Sequence, residues 1–274
     1  MKVFRDKTAV ITGAGSGIGE AIAMRCATEG MNVVLADVNQ ERLSEVEASL
    51  RDIGAKTLTV RTDVSCSQEV DHLAQAAFQE FGAVHLLCNN AGVLHVAPLL
   101  EHTAADWEWS VGVNLFGVIN GVRISGPLMA AQPEESHIVN TASLASFTTG
   151  PGLAAYKVTK HAVLALSEVL FHELAGQNVG VTVLCPGWVD TNITDMDASR
   201  PFGLLNPDGP LPASANREQA RKSAKAGASA SSIALELLEG VRRGDFYVIT
   251  ESSFHQKLEM RSSDVLARRN PTTP

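Results

Sequence analysis

The regular alternation of short apolar strands with longer helical runs limits the possible folds more than any other feature of this sequence. The β-rich runs are Thr8–Thr12, Asn32–Asp37, Lys56–Asp63, His85–Asn89, His137–Thr141, Gly180–Cys185 and Phe246–Thr250. The clearest helical runs are Ala21–Gly30, Gln40–Ile53, Gln68–Phe81, Ala104–Ala131 and Ala155–Ala175. This alternation predicts right-handed βαβ units. We therefore expect an α/β fold with a doubly wound parallel sheet of about seven strands and helices on both faces.

The alternation breaks between Asp190 and Ser229, a stretch that holds four of the eleven prolines of the chain. A long irregular insertion in a compact domain is usually a functional lid or a disordered loop. No internal repeat or linker divides the 274 residues. We therefore expect one domain spanning residues 1–274, with a lid insertion at about 190–229.

Composition argues against several classes of partner and ligand. The net charge of −8 would repel a phosphate backbone, so we expect no nucleic-acid binding. No run approaches the ~18 consecutive apolar residues of a membrane span, and Met1–Lys7 is too polar for a signal peptide. We therefore expect a cytoplasmic protein that binds no membrane. The four cysteines form no CxxC pair and no histidine stands at metal-ligand spacing from them, which predicts reduced thiols and no metal site.

The first predicted strand runs into a glycine-rich turn, Thr12-Gly13-Ala14-Gly15-Ser16-Gly17-Ile18-Gly19, and a helix follows. The spacing fits GxxxGxG and does not fit GxGxxG. Glycines let the backbone approach a ligand closely, and the helix N-terminus offers free N–H groups to a pyrophosphate. We predict a Rossmann-type fold whose turn binds a dinucleotide; a tight turn without a ligand is the alternative. The predicted contacts in this turn are Gly13, Ser16, Gly17, Ile18 and Gly19.

Asp37 ends the second predicted strand, 18 residues after Gly19. A carboxylate near this offset accepts hydrogen bonds from the adenosine ribose and would repel the 2′-phosphate of NADP. No arginine or lysine occupies positions 14, 16, 38 or 39 to receive that phosphate. We therefore predict NAD as the cofactor. The alternative is that Asp37 caps the helix that begins near Gln40.

Further motifs follow in a fixed order: Asp63-Val64, Asn89-Asn90-Ala91-Gly92, Asn114, Ser143, Tyr156-x-x-x-Lys160 and Pro186-Gly187-x-Val189-x-Thr191. Together with the glycine turn they resemble the short-chain dehydrogenase/reductase family, in its single-domain branch. The resemblance runs from Thr8 to about Tyr247 and is weakest between Asp190 and Ser229. It implies that Asp63 and Val64 contact adenine. It also implies cofactor contacts from Asn90, Ala91, Gly92, Tyr156, Lys160, Pro186, Gly187, Val189 and Thr191.

The resemblance also implies catalytic roles for Asn114, Ser143, Tyr156 and Lys160. Tyr156 and Lys160 stand four residues apart on a predicted helix and therefore share a face. A free phenol has a pKa of ~10, and a nearby ammonium should lower it. We expect Tyr156 to exchange a proton with the substrate and Ser143 to bond the substrate oxygen. Asn114 would hold a water that links Lys160 to solvent. Each residue also has an ordinary alternative role. Tyr156 and Lys160 could be a common helical pair without catalytic function. Ser143 could cap a loop, and Asn114 could be a buried amide bonded to backbone.

The insertion occupies the position of the family's substrate loop. It offers Ile193, Met196, Phe202, Leu204 and Leu205 among its glycines and prolines. We expect a mostly apolar lid, and hence a secondary alcohol or ketone on a hydrophobic, steroid-like or aryl substrate. The family also implies a homo-oligomer, a dimer or tetramer, formed through the helices at Ala104–Ala131 and Ala155–Ala175.

Other interpretations stay open. The chain could be a non-catalytic NAD-binding sensor or scaffold, although such proteins typically lose the tyrosine or the lysine. An extended-branch epimerase or dehydratase would need a larger C-terminal domain, and an enoyl reductase would space its Tyr and Lys more widely. Surface or packing roles are the default for His95, His102, His161, His172, Trp107 and Trp109. Trp188 lies inside the Pro186–Thr191 motif and could touch nicotinamide or substrate.

Overall fold

The computed structural model describes residues 1–195, 200–205, 214–251 and 254–272. Its strands are β1 (Thr8–Thr12), β2 (Asn32–Asp37), β3 (Thr57–Arg61), β4 (Leu86–Asn89), β5 (Ser136–Thr141), β6 (Val179–Cys185), β7 (Val189–Asp190), β8 (Ala228–Ser229) and β9 (Tyr247–Ile249). Its helices are α1 (Gly17–Thr28), α2 (Gln40–Asp52), α3 (Ser67–Phe81), α4 (Ala104–Val111), α5 (Gly117–Ala131), α6 (Ala154–Glu173), α7 (Ala215–Lys225), α8 (Ala230–Arg243) and α9 (Phe254–Leu266).

One parallel sheet of seven strands, in the order β3-β2-β1-β4-β5-β6-β9, organises the fold. Successive side chains of a strand point to opposite faces, so both faces must be apolar when helices cover both. In β1, Ala9 and Ile11 pack with α1, α2 and α8, whereas Val10 packs with α3 and α5. The predicted doubly wound Rossmann-type sheet of about seven strands is thus confirmed.

The strand order reverses at β1, which pairs with β2 on one side and with β4 on the other. At such a switch point the connections leave in opposite directions and open a crevice beyond the carboxyl ends of the strands. Five strands deliver predicted site residues to this edge. The glycine turn follows β1, Asp37 ends β2, Asn90 follows β4, Ser143 follows β5 and Pro186 follows β6.

The predicted helix Ala104–Ala131 is divided into α4 and α5 by a wider π-helical turn at Gly112–Phe116. Its start is as predicted, because the side chains of Thr103 and Asp106 form a reciprocal capping box. The wider turn carries Asn114, whose side chain is fully buried. Turns of this kind often mark functional sites, and propensity alone does not reveal them.

The stretch 190–229 is more regular than the sequence predicts. Its charged part folds into α7, which buries Ala220 and Ala224, exposes Arg221, Lys222 and Lys225, and directs Arg217 to the carbonyl of Val96. Strands β7 and β8 pair in parallel and bring the two ends of the stretch together. The prediction of an irregular insertion was therefore wrong for α7, because small alanines at helical spacing give that helix a buried face despite its polar composition.

Two helices beyond the clearest predicted ones complete the molecule. Helix α8 buries Ile233, Leu237 and Val241 against the sheet. Helix α9 begins at Phe254, whose ring centroid lies 4.7 Å from that of Phe147. No helix among the described residues is long and apolar enough to cross a membrane.

Candidate active site

A cleft of about 1100 Å³ opens at the carboxyl edge of the sheet, beside the switch point. Most of the residues predicted to bind cofactor or substrate line it: Gly13, Ser16, Gly17, Ile18, Asp37, Asp63, Val64, Asn90, Ala91, Gly92, Ser143, Tyr156, Lys160, Pro186, Gly187, Val189 and Thr191. Two predicted site residues, Gly19 and Asn114, are not part of its lining. Predictions made from separate motifs along the chain thus converge on one cavity.

The glycine turn has the geometry of a phosphate cradle. Gly13 and Gly17 have φ of 66° and 58°, values that side chains disfavour. A Cβ on Gly19 would lie 2.0 Å from the carbonyl oxygen of Gly13, so this glycine is needed for packing behind the turn. Ser16 is the N-cap of α1, but its side chain makes no capping hydrogen bond. The first N–H groups of α1 are therefore available to an anion in the cleft.

Thr12 joins the turn after β1 to the turn after β4. Its Oγ1 accepts hydrogen bonds from the backbone N–H groups of Asn90 (3.0 Å) and Ala91 (3.1 Å). The side-chain amide of Asn90 donates in return to the carbonyl of Thr12 at 3.0 Å. This closed set of bonds fixes the spacing of two strand ends that form the floor of the cleft.

Asp37 faces the glycine turn, since its Oδ2 accepts a hydrogen bond from the N–H of Gly15 at 3.0 Å. It does not cap α2, because Asn39 is the N-cap and accepts from the N–H of Arg42. Arg42 was not foreseen. It lies one turn into α2, lines the cleft, and its Cβ would be 3.1 Å from a Cβ on Gly15. The sequence motifs do not indicate this cation, which the first turn of α2 brings to the same wall of the cleft.

Ser143, Tyr156 and Lys160 come together at the opposite end of the cleft. Ser143 lies close enough to Tyr156 to lower the pKa of its phenol, and its Oγ donates to the carbonyl of Pro186 at 3.4 Å. The Nζ of Lys160 lies 5.7 Å from the centre of the Tyr156 ring and donates to the carbonyl of Thr141 at 2.7 Å. Because one helix, α6, carries the phenol and the ammonium while the end of β5 carries the hydroxyl, backbone geometry fixes all three groups.

The pKa values of this group differ from the sequence prediction. Burial raises the pKa of Tyr156, and the nearby Ser143 only partly opposes it. Burial also lowers the pKa of Lys160 to about 8. The expectation that Lys160 lowers the phenol pKa was wrong for this structure, because both groups are withdrawn from water and the ammonium points at Thr141.

Asn114 packs behind the catalytic group. Its Oδ1 accepts from the N–H of Val93 at 2.7 Å, and its Nδ2 donates to the carbonyl of Val93 and to the Oγ1 of Thr159. A Cβ on Gly92 would lie 3.4 Å from this Oδ1 and 3.5 Å from the Nζ of Lys160. The side chain thus makes the backbone bonds of the buried-amide alternative, immediately beside Lys160.

The substrate end of the cleft has mixed walls. Of the predicted lid residues, Ile193 and Leu204 line it, whereas Leu205 is exposed. Met196 and the side chain of Phe202 lie outside the described residues. Further lining residues that the sequence did not indicate are Leu94, Trp109, Thr148, Leu153, Asp195, Arg200, Pro201, Glu251, Phe254 and Lys257. The wall is therefore less apolar than predicted, because the charged side chains of Asp195, Arg200, Glu251 and Lys257 contribute to it.

Some of the tryptophans and histidines considered as site residues line the cleft, and others lie away from it. Trp109 was expected to pack and is buried, but it also lines the cleft, as does the 37% exposed Trp188. Trp107 packs beside His102, with ring centroids 5.7 Å apart. The remaining histidine candidates, His95, His161 and His172, are likewise not part of the cleft lining.

Comparisons with known proteins agree with this geometry. The family model described as short chain dehydrogenase matches residues 7–200. A crystal structure of a short chain dehydrogenase/reductase from Burkholderia phymatum in complex with NAD superposes with a TM-score of 0.96 at 42% identity, covering 100% of this chain and 99% of that one. The CLA biosynthesis dehydrogenase/reductase of Lactiplantibacillus plantarum is 29% identical over 99% of this chain and 97% of its own length.

A diacetyl reductase, (S)-acetoin forming, from Staphylococcus epidermidis is 35% identical over 69% of this chain and 74% of its own length. The family match, at residues 7–200 of 274, includes the glycine turn, the Asn89–Gly92 segment and the Tyr156–Lys160 pair. The chain belongs to the short-chain dehydrogenase family.

Proposed function

We propose that this protein is an NAD-dependent oxidoreductase that interconverts a secondary alcohol and a ketone on a hydrophobic, aryl or steroid-like substrate. The observation that carries the proposal is the meeting of Ser143, Tyr156 and Lys160 at one end of the cleft, with the glycine turn at the other. The reaction class also agrees with a relative named as a diacetyl reductase, which acts on a ketone.

The cleft suits a dinucleotide on three counts. Gly13 and Gly17 hold backbone conformations that bring N–H groups to the surface of the turn, and α1 directs its N-terminus there. Asp37 offers a carboxylate for ribose hydroxyls. The related Burkholderia phymatum structure contains NAD. We propose NAD as the cofactor, with contacts from the residues named in the lining and Gly19 supporting the turn from behind.

Side chains of this protein would carry out the proton transfer. Because burial raises the pKa of Tyr156, its phenol stays protonated near neutral pH and can give a proton to a carbonyl oxygen. Ser143 donates a hydrogen bond to the same oxygen as negative charge develops there. Lys160, whose Nζ lies 5.7 Å from the centre of the phenol ring, would bind the nicotinamide ribose, as the family resemblance implies. A bound nicotinamide would supply or accept the hydride.

Apolar side chains support the choice of a hydrophobic substrate. Leu94, Leu153, Ile193 and the ring of Tyr156 belong to one apolar cluster. Trp188 and Leu204 extend the apolar wall away from the phenol. A flat ring system would bury more surface here than a polyol, at about 25 cal/mol per Å². The stretch 190–229 would act as the substrate-facing part of a single catalytic domain.

We also propose a homo-oligomer, a dimer or tetramer. Helices α5 and α6 and the turn before α5 expose large apolar side chains: Phe116, Leu128, Val158, Val169 and Phe171. Exposed apolar patches of this kind usually mark contacts between proteins. Free cysteines, three of them buried, suit a reducing compartment such as the cytoplasm.

The test is an activity screen of the purified protein with NAD, followed by NADH absorbance. We expect oxidation of aryl alcohols or hydroxysteroids, with weaker activity on short aliphatic alcohols and none on polyols. A preference for polyols would contradict the hydrophobic substrate. Tight NAD binding with no turnover of any alcohol or ketone would instead favour the non-catalytic sensor.

A further inference from the structure

A fully buried ion pair joins the substrate segment to α4. The Nη1 of Arg200 lies 2.7 Å from the Oδ1 of Asp106, and their side chains are 1% and 0% exposed. Arg200 also donates from Nε to the carbonyl of Leu204 at 2.6 Å. One guanidinium therefore holds both ends of the turn 200–204 and fixes that turn to a helix.

The guanidinium also completes the wall of the cleft. Its central carbon lies 5.2 Å from the ring centre of Trp109, within the range of a cation–π contact. Arg200, Pro201 and Leu204 line the cleft on one side of this contact and Trp109 lines it on the other. The ion pair and the stacked ring thus set where the apolar wall stands relative to Tyr156.

Around Asp106, the negative charge of its carboxylate is paired with the positive charge of Arg200. The second oxygen of Asp106 accepts from the N–H and the hydroxyl of Thr103, both at 2.8 Å, as part of the cap of α4. The Nε2 of His95 lies 3.6 Å from the same oxygen, but burial lowers the pKa of His95 to about 4, so it is neutral near pH 7. Arg200 is therefore the cation that balances Asp106.

A buried ion pair is weak evidence for stability, because desolvation offsets most of its attraction and apolar residues can often replace it. What a pair of this kind provides is a fixed geometry. Here that geometry is the position of residues 200–205, of which Arg200, Pro201 and Leu204 line the cleft.

We propose that Arg200 is a specificity-determining positioning residue: paired with Asp106, it fixes residues 200–205 as the wall that recognises the apolar body of the substrate. The inference rests on the proposed function. A large aryl ketone needs this wall to bury its ring. A four-carbon ketone such as diacetyl binds mainly through its oxygen at Ser143 and Tyr156 and needs the wall little.

The first test is hydrogen exchange of the full-length protein saturated with NAD. We expect the amides of residues 202–205 to exchange at least tenfold faster in Arg200→Met than in the wild type. Arg51→Met is the matched control, because it makes the same side-chain change in an exposed pair with Glu47 on α2. Unchanged exchange at 202–205 in Arg200→Met would overturn the inference.

The second test measures ketone binding, which does not depend on turnover. Calorimetry on the NAD complex gives dissociation constants for 2-acetylnaphthalene and for diacetyl. In Arg200→Met we expect the constant for 2-acetylnaphthalene to rise at least tenfold, while those for diacetyl and NAD stay within about twofold. An equal change for both ketones would mean a general structural role and would overturn the inference.

A double variant covers the case in which Arg200→Met leaves Asp106 buried and unpaired and the protein fails to fold. Arg200→Met combined with Asp106→Asn removes both charges and keeps a side-chain acceptor for Thr103. We expect it to fold and to show the same selective loss of 2-acetylnaphthalene, and Asp106→Asn alone to match it. If the wild type binds neither ketone, the proposed function and the inference both fail. If it binds both and the double variant still binds 2-acetylnaphthalene normally, the inference alone fails.

Discussion

At the scale of single residues, Asp37 and Arg42 bring opposite charges to the adenosine end of the cleft. Asp37 is fixed by the N–H groups of Gly15 and Asn39, and Arg42 stands beside it on α2. The carboxylate opposes a 2′-phosphate, and the guanidinium would attract one. We therefore expect the balance between the two charges to set the choice between NAD and NADP.

Replacing Asp37 with serine removes the repulsion and leaves Arg42 in place. We expect kcat/KM with NADP to rise about tenfold or more, equivalent to about 1.4 kcal/mol, while kcat/KM with NAD falls. Steady-state kinetics with both cofactors measure this. Asp52→Ser, an exposed change at the end of α2, should leave both values unaltered. An unchanged preference in Asp37→Ser would remove the carboxylate from cofactor choice.

The raised pKa of Tyr156 has a defined consequence for pH dependence. Near neutral pH the phenol is protonated, so under the proposed mechanism ketone reduction would have its acid, whereas alcohol oxidation would depend on the scarce phenolate. We expect kcat/KM for oxidation to rise roughly tenfold per pH unit below that pKa, and reduction to stay level there. Rates measured from about pH 6 to pH 8 test this. An oxidation rate that does not change with pH would contradict it.

Sequence identified the reacting groups better than their surroundings. Ser143, Tyr156 and Lys160 carry recognisable spacing, and the structure brings them to one cleft. Arg200 and Trp109 have no such spacing, because they meet through packing of segments about ninety residues apart. The sign of the Tyr156 pKa shift was missed for the same reason: helical spacing shows the neighbouring ammonium, but not the burial that outweighs it.

At the scale of elements, two helical glycines differ in what surrounds them. A Cβ on Gly19 in α1 would lie 2.0 Å from the Gly13 carbonyl oxygen, whereas one on Gly126 in α5 would meet Ile138 at an ordinary 3.9 Å. Alanine is the better helix former by about 0.5–1 kcal/mol where it fits. The same substitution should therefore have opposite effects at the two positions.

We expect Gly126→Ala to raise the free energy of unfolding by about 0.5–1 kcal/mol and to leave NAD affinity unchanged. Gly19→Ala should displace the glycine turn, lower stability, and weaken NAD binding at least about tenfold. Urea unfolding and NAD titration of the two variants measure these effects. Normal NAD binding by Gly19→Ala would show that the turn does not hold the cofactor.

The predicted strands and helices match the structure where a single residue pattern determines the element. They differ from it where contacts with other segments determine the element. Strands β1 and β2 match their predicted bounds because a strand covered by helices on both faces must be apolar along its whole length. The π-helical turn at Gly112–Phe116 was missed, since it depends on Asn114 reaching the backbone of Val93. Helix α7 lies inside the stretch predicted to be irregular, because its buried face consists of alanines, which carry little hydrophobic signal.

At the scale of the whole molecule, buried neutral histidines link stability to pH. The Nε2–H of His137 donates to Thr182 at 2.8 Å, because the hydroxyl of Thr182 donates to the carbonyl of Asp245. Burial lowers the pKa of His137 to about 3 and that of His95 to about 4. Below about pH 6.5 the unfolded chain therefore takes up protons that the folded chain does not.

We expect the free energy of unfolding to fall between pH 7 and pH 5 by about 2 kcal/mol for each of these two histidines. Their stabilising contribution is complete above the unfolded pKa and is lost as the pH falls towards the folded values. Urea unfolding at the two pH values measures the loss, and His137→Gln should reduce it by about half. Equal stability at both pH values would show that these imidazoles are not held neutral.

The central claim is that Tyr156 performs proton transfer beside a dinucleotide that the rest of the cleft binds. The most direct measurement compares wild type with Tyr156→Phe, which deletes one oxygen and keeps the ring, in NAD titration and in turnover of an alcohol that the wild type oxidises. We expect NAD affinity within about twofold and turnover reduced at least about a thousandfold, within the usual range for a lost acid/base group. Turnover retained in Tyr156→Phe would contradict it.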